Sequence, residues 1–265
     1  MSGALLSVRG LTRRFGGLVA VSDLDLDLRE GEILAVIGPN GAGKTTTFNL
    51  IAGADRPSAG KIAFRGQDIA AMPAHARASL GLTRTFQHNM PFAGMSLEEN
   101  ILVGRHTRFS GGLGAVLLGS ARLREEEAQA RRLTAEMIAF TGLGARVDAD
   151  VATLSFGEGR LLEVARALVS EPRVLLLDEP AAGLTGPEIA HLSQVIANLS
   201  ARGVAVLLID HDMRFVLPLA QRIVVLNFGR KIADGPPQAV VNDPAVIDAY
   251  LGKVSRPESA GAGHA

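Results

Sequence analysis

The chain of 265 residues is 47% hydrophobic, which is ample for a packed core and excludes an intrinsically disordered chain. Its 27 Lys and Arg residues balance 27 Asp and Glu residues, so it lacks the basic charge expected of a general nucleic-acid binder. It has no cysteine, which excludes disulfides and cysteine-based catalysis or metal binding.

The N-terminal sequence lacks the apolar core and cleavage site of a signal peptide. No apolar run reaches the roughly 18 residues of a membrane-spanning helix. We therefore expect that the chain does not cross a membrane by itself, and that any role in transport requires docking onto a membrane protein.

The first predicted elements are strands that lead into a helix. Leucines alternate with aspartates over Leu24–Leu28, which predicts a half-exposed strand. The continuous apolar run Ile33–Ile37 is typical of a strand that is buried on both faces. A helix is predicted over Lys44–Ala52, and two further short strands are predicted at Ile62–Phe64 and Thr83–Phe86.

The buried strand runs directly into a glycine-rich loop of the pattern G-x-x-x-x-G-K-[ST]. Glycines let the backbone wrap closely around an anion, and the N–H groups at the start of the following helix add partial positive charge. Lys44 would reach the β- and γ-phosphates of a nucleotide, and the Thr45 hydroxyl would ligate Mg²⁺. The predicted nucleotide-binding residues of this segment are Gly38, Pro39, Asn40, Gly41, Ala42, Gly43, Lys44, Thr45 and Thr46.

A mostly helical segment is predicted from about residue 91 to 165. Ser96 followed by Glu99 is typical of a capping box, and Arg122–Phe140 is rich in helix-forming residues. Near the end of this segment, Ser155, Gly157 and Gly159 open another helix, whose N-terminus could bind an anion. The alternative is an ordinary helix cap at Ser155.

The apolar strand Val174–Leu177 ends in two acids, Asp178 and Glu179. Ligands of α/β folds lie at the carboxyl edge of the sheet, so Asp178 could hold Mg²⁺ through water and Glu179 could polarise an attacking water. The alternative is an exposed loop start. Later strands at Val204–Ile209 and Ile223–Leu226 alternate with helices at Pro187–Ala201 and Met213–Ala220, which predicts a mainly parallel sheet covered on both faces.

The segment Leu154–Arg160 resembles the LSGGQ signature of the ATP-binding cassette (ABC) ATPases. Three other positions match this family in order: Phe15 resembles the aromatic that stacks on adenine, Gln87 lies at the Q-loop position, and His211 matches the switch histidine. The resemblance covers residues 5–252. It departs from the usual pattern at Phe156 and Glu158 of the signature and at Thr185 of the D-loop.

The resemblance implies an α/β P-loop NTPase (RecA-like) core with a mainly parallel sheet, an N-terminal antiparallel β subdomain and an α-helical insert carrying the signature. One nucleotide-binding domain would have its core at about 1–90 and 166–252, its helical subdomain at 91–165, and a disordered tail at 253–265.

The resemblance also implies the roles of the site residues in an ATPase. Glu179 and His211 would be catalytic, and Mg²⁺ would be held by Thr45, Gln87 and Asp178. Ser155, Gly157 and Glu158 would contact the ATP of a second subunit, since two subunits facing head-to-tail bury two nucleotides.

Four local segments are similar to the LivG-type ATPases of branched-chain amino acid importers: Arg84–His88, Arg105–Arg122, Glu179–Leu184 and Asp243–Gly252. The implied partners are a second ABC ATPase, identical or LivF-like, two transmembrane permease subunits and, indirectly, a periplasmic substrate-binding protein. The implied location is the cytoplasmic face of the inner membrane. Alternatives are the ATPases of urea or amide import and of lipopolysaccharide export, which share a stretch like Pro73–Ala78, and a non-transport ABC ATPase acting on ribosomes or DNA.

Overall fold

The computed structural model describes residues 3–85, 91–108 and 121–251. In chain order the strands are β1 (Leu6–Phe15), β2 (Leu18–Leu28), β3 (Ile33–Ile37), β4 (Ala59–Phe64), β5 (Gln67–Asp68), β6 (Leu82–Arg84), β7 (Val174–Asp178), β8 (Ala205–Ile209), β9 (Arg222–Asn227) and β10 (Arg230–Gly235). The α-helices are α1 (Lys44–Ala52), α2 (Ala74–Leu80), α3 (Leu97–Leu102), α4 (Ala121–Phe140), α5 (Phe156–Leu168), α6 (Gly186–Ala201), α7 (Met213–Leu219), α8 (Pro237–Val241) and α9 (Pro244–Leu251). Short 3₁₀ segments lie at Val103–Arg108, Leu143–Arg146 and Val151–Thr153.

The larger sheet has the strand order β10-β9-β3-β8-β7-β6. Strands β9, β3, β8, β7 and β6 pair in parallel, and β10 adds an antiparallel edge. Successive residues of β3 belong to different core clusters, Ile33 to one and Leu34 to the other, because both faces of the sheet are covered. The predicted mainly parallel sheet is confirmed.

The smaller sheet is antiparallel, in the order β2-β1-β4-β5. In β2 the side chains of Leu24, Leu26 and Leu28 are buried, whereas Asp25 is exposed and Asp27 half-buried. The alternation in the sequence therefore gave the correct face of the strand. This sheet packs its buried side chains into the same core cluster as α1.

The segment between β6 and β7 is helical in its described part. The predicted capping box is present at the start of α3, where Ser96 accepts from the Glu99 N–H and the Glu99 carboxylate accepts from the Ser96 N–H. Arg166 of α5 donates to the carbonyl and side-chain oxygens of Asn100, which joins α3 to α5. The part of the chain that the structure describes contains no helix with both the length and the apolarity to cross a membrane.

Some predictions need adjustment or fall outside the described residues. The strand predicted to begin at Val204 begins at Ala205, and α2, α8 and α9 were not predicted. Helix α2 lacks the usual sequence signals, since Pro73 stands at its N-cap and offers no side-chain acceptor. The expected disordered tail, 253–265, lies outside the described residues.

Candidate functional site

The glycine loop between β3 and α1 has backbone geometry that requires glycine. Gly38 has φ of 150° and Gly43 has φ of 98°, both outside the usual range of other residues. A Cβ at Gly38 would collide with the Leu226 carbonyl, and one at Gly43 would collide with the Ala20 carbonyl. The loop is thus held tightly between β9 and β2, and α1 begins directly after it.

Lys44, the first residue of α1, folds back over this loop. Its Nζ donates to the carbonyl oxygens of Gly38 (2.7 Å) and Pro39 (3.0 Å), and the residue is only 8% exposed. Burial lowers the pKa of the Lys44 ammonium, and the nearby charges of Glu179 and Asp178 oppose that shift. A buried cation therefore stands at a glycine loop that opens a helix, an arrangement suited to a polyphosphate.

Phe15 lies at the end of β1, where the β1–β2 hairpin approaches the glycine loop. Ala20 of the same hairpin is the residue whose carbonyl abuts Gly43, so the hairpin end is next to the start of α1. The Phe15 side chain is 47% exposed, and the Arg13 guanidinium lies 4.4 Å from its ring centroid. An exposed aromatic ring at this place can stack on a nucleotide base.

Asp178 ends β7 at the carboxyl edge of the larger sheet, and its side chain is 6% exposed. Arg84 of the neighbouring β6 donates from Nη2 to its Oδ2 at 3.0 Å and from Nη1 to Asn49 of α1 at 2.7 Å. The Asp178 carboxylate and the exposed Thr45 hydroxyl are oxygen donors of the kind that Mg²⁺ prefers, and Mg²⁺ takes its other ligands from phosphates and water. This donor set fits a magnesium–nucleotide complex.

Glu179 and His211 lie side by side on the loops that follow β7 and β8. The Glu179 Oε1 atom is 3.7 Å from the His211 Nδ1 atom, and both side chains are more than half exposed. Glu179 has a φ of 46°, a left-handed conformation that costs a non-glycine residue about 1 kcal/mol or more. Backbone strain of this kind clusters at functional sites.

The residues of the predicted signature lie at the N-terminus of α5. Ser155 is the N-cap, and its Oγ accepts from the Glu158 N–H. The Glu158 carboxylate accepts from the Ser155 N–H at 2.8 Å and pairs with the Arg146 Nε at 2.6 Å. The Arg146 guanidinium holds the pKa of Glu158 below its usual range. The unusual glutamate therefore serves as the second half of a capping box, and Arg146 neutralises its charge.

The turn before α6 packs against this helix start. The Phe156 ring lies over Gly183, where any Cβ would meet it, and the Arg160 guanidinium lies 5.2 Å from the ring centroid. A Cβ at Gly157 would overlap the Glu188 carboxylate. Hydrogen bonds from Thr185 hold the pKa of Glu188 below its usual range, and hydrogen bonds from the Gly157 N–H and the Ser155 hydroxyl contribute less to this shift.

The structure brings Lys44, Asp178, Glu179 and His211 together at one edge of the larger sheet. The contacts of Ser155, Gly157 and Glu158 are instead with Arg146, Glu188 and the turn before α6. The predicted Q-loop residue, Gln87, lies outside the described residues.

Sequence reasoning missed three side chains that contact this edge: Arg84, Asn49 and Asp210. Arg84 and Asp210 lie within motifs recognised in the sequence, but their contacts reach across neighbouring strands and leave no local periodicity. The signal available for Arg84 was its place in the Arg84–His88 motif, at the end of a short strand.

The chain matches two protein-family models and several curated proteins. A family model described as "ABC transporter" matches residues 21–182, and one described as "Branched-chain amino acid ATP-binding cassette transporter" matches residues 230–254. The chain is 42% identical over 254 residues to the "High-affinity branched-chain amino acid transport ATP-binding protein LivG" of Salmonella typhimurium, which covers 96% of this chain and 100% of that protein.

Two further similarities extend the comparison. The chain is 36% identical to the "Lipopolysaccharide export system ATP-binding protein LptB" of Acidithiobacillus ferridurans, over 94% of this chain and 97% of that protein. A crystal structure of the ADP conformation of an ATP-binding cassette of an ABC transporter superposes with a TM-score of 0.83 at 28% identity, over 94% of this chain and 99% of that one.

Proposed function

Because this chain belongs to the ABC transporter family of ATP-binding cassettes, we propose that it is the ATP-hydrolysing subunit of an importer for branched-chain or other hydrophobic amino acids. The observation that carries the ATPase assignment is the meeting of Lys44, Asp178, Glu179 and His211 beside the glycine loop. The substrate class is supported by the identity to LivG along the whole chain and by the family model at residues 230–254.

Each residue at the sheet edge has a role in this proposal. The loop N–H groups and Lys44 bind the phosphates, and Phe15 stacks on adenine. Glu179 positions the attacking water and takes its proton, and His211 holds the reacting phosphate beside it. Thr45, Asp178 and Gln87 would hold Mg²⁺, which neutralises charge on the phosphates.

The nucleotide site is completed by a second subunit in this proposal. Ser155 and Gly157 at the N-terminus of α5 contact the ATP bound to the other ATPase, so that ATP binding closes a head-to-tail dimer and hydrolysis reopens it. The exposed position of Ser155 and Phe156 supports such a role. Closure would move the helical segment and push two transmembrane permease subunits at the cytoplasmic face of the inner membrane, where a periplasmic binding protein delivers substrate from the other side.

The test of the ATPase role is the Glu179→Gln variant, which keeps the shape of the side chain and removes its basicity. We expect it to bind ATP, to lose turnover and to accumulate as a closed dimer on size-exclusion chromatography. Normal ATP hydrolysis by this variant would show that Glu179 is not the residue that activates the attacking water. This variant is measured beside Glu171→Gln, an exposed glutamate that pairs with Arg105 and lies away from the glycine loop.

The test of the substrate class is ATPase activity of the complex copurified with its membrane subunits and reconstituted in vesicles. Leucine with the periplasmic binding protein is expected to stimulate hydrolysis, and arginine at the same concentration is not. Stimulation only by a lipopolysaccharide would favour the exporter alternative, for which the 36% identity to LptB is the weaker support. A gene neighbourhood with a second ATPase, two membrane proteins and a binding protein would agree with import.

A further inference from the structure

One buried carboxylate bonds the loop that carries Glu179 to the loop that carries His211. Asp210 is 1% exposed. Its Oδ1 atom accepts from the backbone N–H of His211 at 2.7 Å and of Asp212 at 2.9 Å. Its Oδ2 atom accepts from the backbone N–H of Ala181 at 3.2 Å. The first two bonds shape the turn after β8, and the third reaches the turn after β7.

The position of Asp210 follows from the register of the sheet. Strands β7 and β8 are parallel, and Asp178 lies opposite Ile209, so the two loops start side by side. The Glu179 N–H donates to the Ile209 carbonyl at 2.7 Å, which continues the ladder by one residue. Beyond that point the backbone of Glu179 turns into its left-handed conformation, and the hydrogen bond from the Ala181 N–H to Asp210 links the two loops again.

The distance between the two reactive groups depends on how these loops are held. The His211 Nδ1 atom is 3.7 Å from Glu179 Oε1 and 3.8 Å from Asp210 Oδ1. A left-handed backbone at Glu179 persists only where the surrounding structure fixes it. Asp210 supplies acceptors to both sides of that arrangement, and a carboxylate is the only side chain of its length that offers two acceptor oxygens.

We infer that Asp210 is a positioning residue that fixes Glu179 and His211 relative to each other for hydrolysis. The inference rests on the proposed function, because it assigns Asp210 to the same ATPase site. Asp210 contacts no nucleotide in this scheme and acts only through the two loops. Its loss should therefore lower kcat and leave the binding of ATP by the glycine loop unchanged.

Two substitutions of Asp210 distinguish the hydrogen bond between the two loops from the hydrogen bonds within the turn after β8. Asp210→Asn turns one acceptor oxygen into an NH₂ donor, so either Ala181 or the His211–Asp212 turn loses its acceptor. Asp210→Ser keeps one short acceptor that can still serve the turn after β8, but it removes the atom that reaches Ala181. We expect both variants to lower kcat by about 100-fold, since small displacements of catalytic groups cost roughly that factor.

The controls distinguish positioning from folding. Asp212→Asn makes the same chemical change two residues away, where the carboxylate caps α7 and pairs with Arg214, and it should leave kcat nearly unchanged. ATP affinity, measured by fluorescence titration, should be the same in all variants. In the Glu179→Gln background, Asp210→Ser should still form the ATP-dependent dimer.

Several results would overturn the inference. Unchanged kcat in both Asp210 variants would show that the bridge is dispensable. Parallel loss of ATP affinity and kcat, or loss of the folded state in both variants, would make Asp210 a structural residue only. Full turnover by Glu179→Gln would instead defeat the proposed function itself, whatever the Asp210 variants do.

Discussion

The Nη2 atom of Arg84 lies 3.0 Å from the Oδ2 atom of Asp178, so a cation from the neighbouring strand holds the carboxylate proposed to face the magnesium ion. The same guanidinium donates to Asn49 of α1 and lies 4.7 Å from the centroid of the Phe48 ring. Arg84 thereby connects β6, β7 and the helix of the glycine loop. It also places positive charge beside the proposed phosphate site.

The first prediction concerns this charge. Arg84→Met removes a cation from beside Asp178, which leaves a more negative field around bound phosphates. We expect ATP affinity in EDTA to fall about tenfold, equivalent to about 1.4 kcal/mol, by isothermal titration calorimetry. Added Mg²⁺ should reduce the difference. Arg84→Lys keeps the charge and should lose less, and equal EDTA affinities for the wild type and Arg84→Met would refute the prediction.

The sequence was sufficient for elements whose signals are local. The strand Ile33–Ile37, the glycine loop and the helix Lys44–Ala52 were predicted with the observed bounds, because an apolar run, a glycine motif and a helix follow one another directly. The alternation over Leu24–Leu28 gave the buried face of β2 for the same reason. Such patterns depend on residues that are close in the sequence.

What the sequence could not give are contacts between residues distant in the chain. Arg84 and Asp178 are 94 residues apart, and Ala181 and Asp210 are 29 residues apart. Both pairs depend on the order β8-β7-β6, which no local pattern encodes. The sequence alone also did not explain why Glu158 places a negative charge beside an anion site. The structure shows that Arg146, 12 residues earlier, pairs with this carboxylate.

The second prediction tests the glycine loop. Lys44→Ala removes the buried ammonium that lies over the loop carbonyls, so most nucleotide affinity should be lost, by roughly tenfold or more. Binding of a fluorescent ATP analogue measures this directly. Lys61→Ala, the same change at an exposed lysine on β4, serves as the control. Tight ATP binding by Lys44→Ala would argue against the assignment of the phosphate site.

The third prediction separates a helix cap from a nucleotide contact. Ser96 and Ser155 both begin helices with a capping box, but only Ser155 lies in the proposed signature. Ser96→Arg and Ser155→Arg should each lower the free energy of unfolding by about 1 kcal/mol, the usual worth of a cap. Only Ser155→Arg should block hydrolysis, because its side chain would obstruct the partner's nucleotide, and ATP binding by the monomer should persist.

A phosphate-release assay and chemical denaturation measure these two properties side by side. If Ser155→Arg lost nucleotide binding and hydrolysis together, the signature would be structural. If Ser96→Arg also lost hydrolysis, the effect would come from disturbing the helical segment as a whole. Either result would argue against a nucleotide site formed by the glycine loop of one subunit and Ser155 of the other.

The fourth prediction concerns Arg77, whose guanidinium is buried at the far end of α1. It is 1% exposed and donates to the carbonyl oxygens of Leu50, Ile51, Met72 and Ala70. Burial lowers its pKa to about 10, so it remains charged at neutral pH. Cations at a helix C-terminus satisfy its free carbonyls and interact favourably with its dipole.

Arg77→Met would remove this donor from the carbonyls of Ile51, Met72 and Ala70 in a buried place, whereas the Leu50 carbonyl also accepts from the Gly53 N–H. The free energy of unfolding should fall by about 3 kcal/mol, because buried carbonyls that lose their hydrogen-bond donor are costly. Arg77→Lys should recover part of this, because an ammonium can serve some of the carbonyls but lacks the planar fork. Arg56→Met, at an exposed arginine, is the control and should change stability by less than about 0.5 kcal/mol. Unchanged stability of Arg77→Met in urea denaturation would show that the guanidinium does not stabilise the C-terminal end of α1.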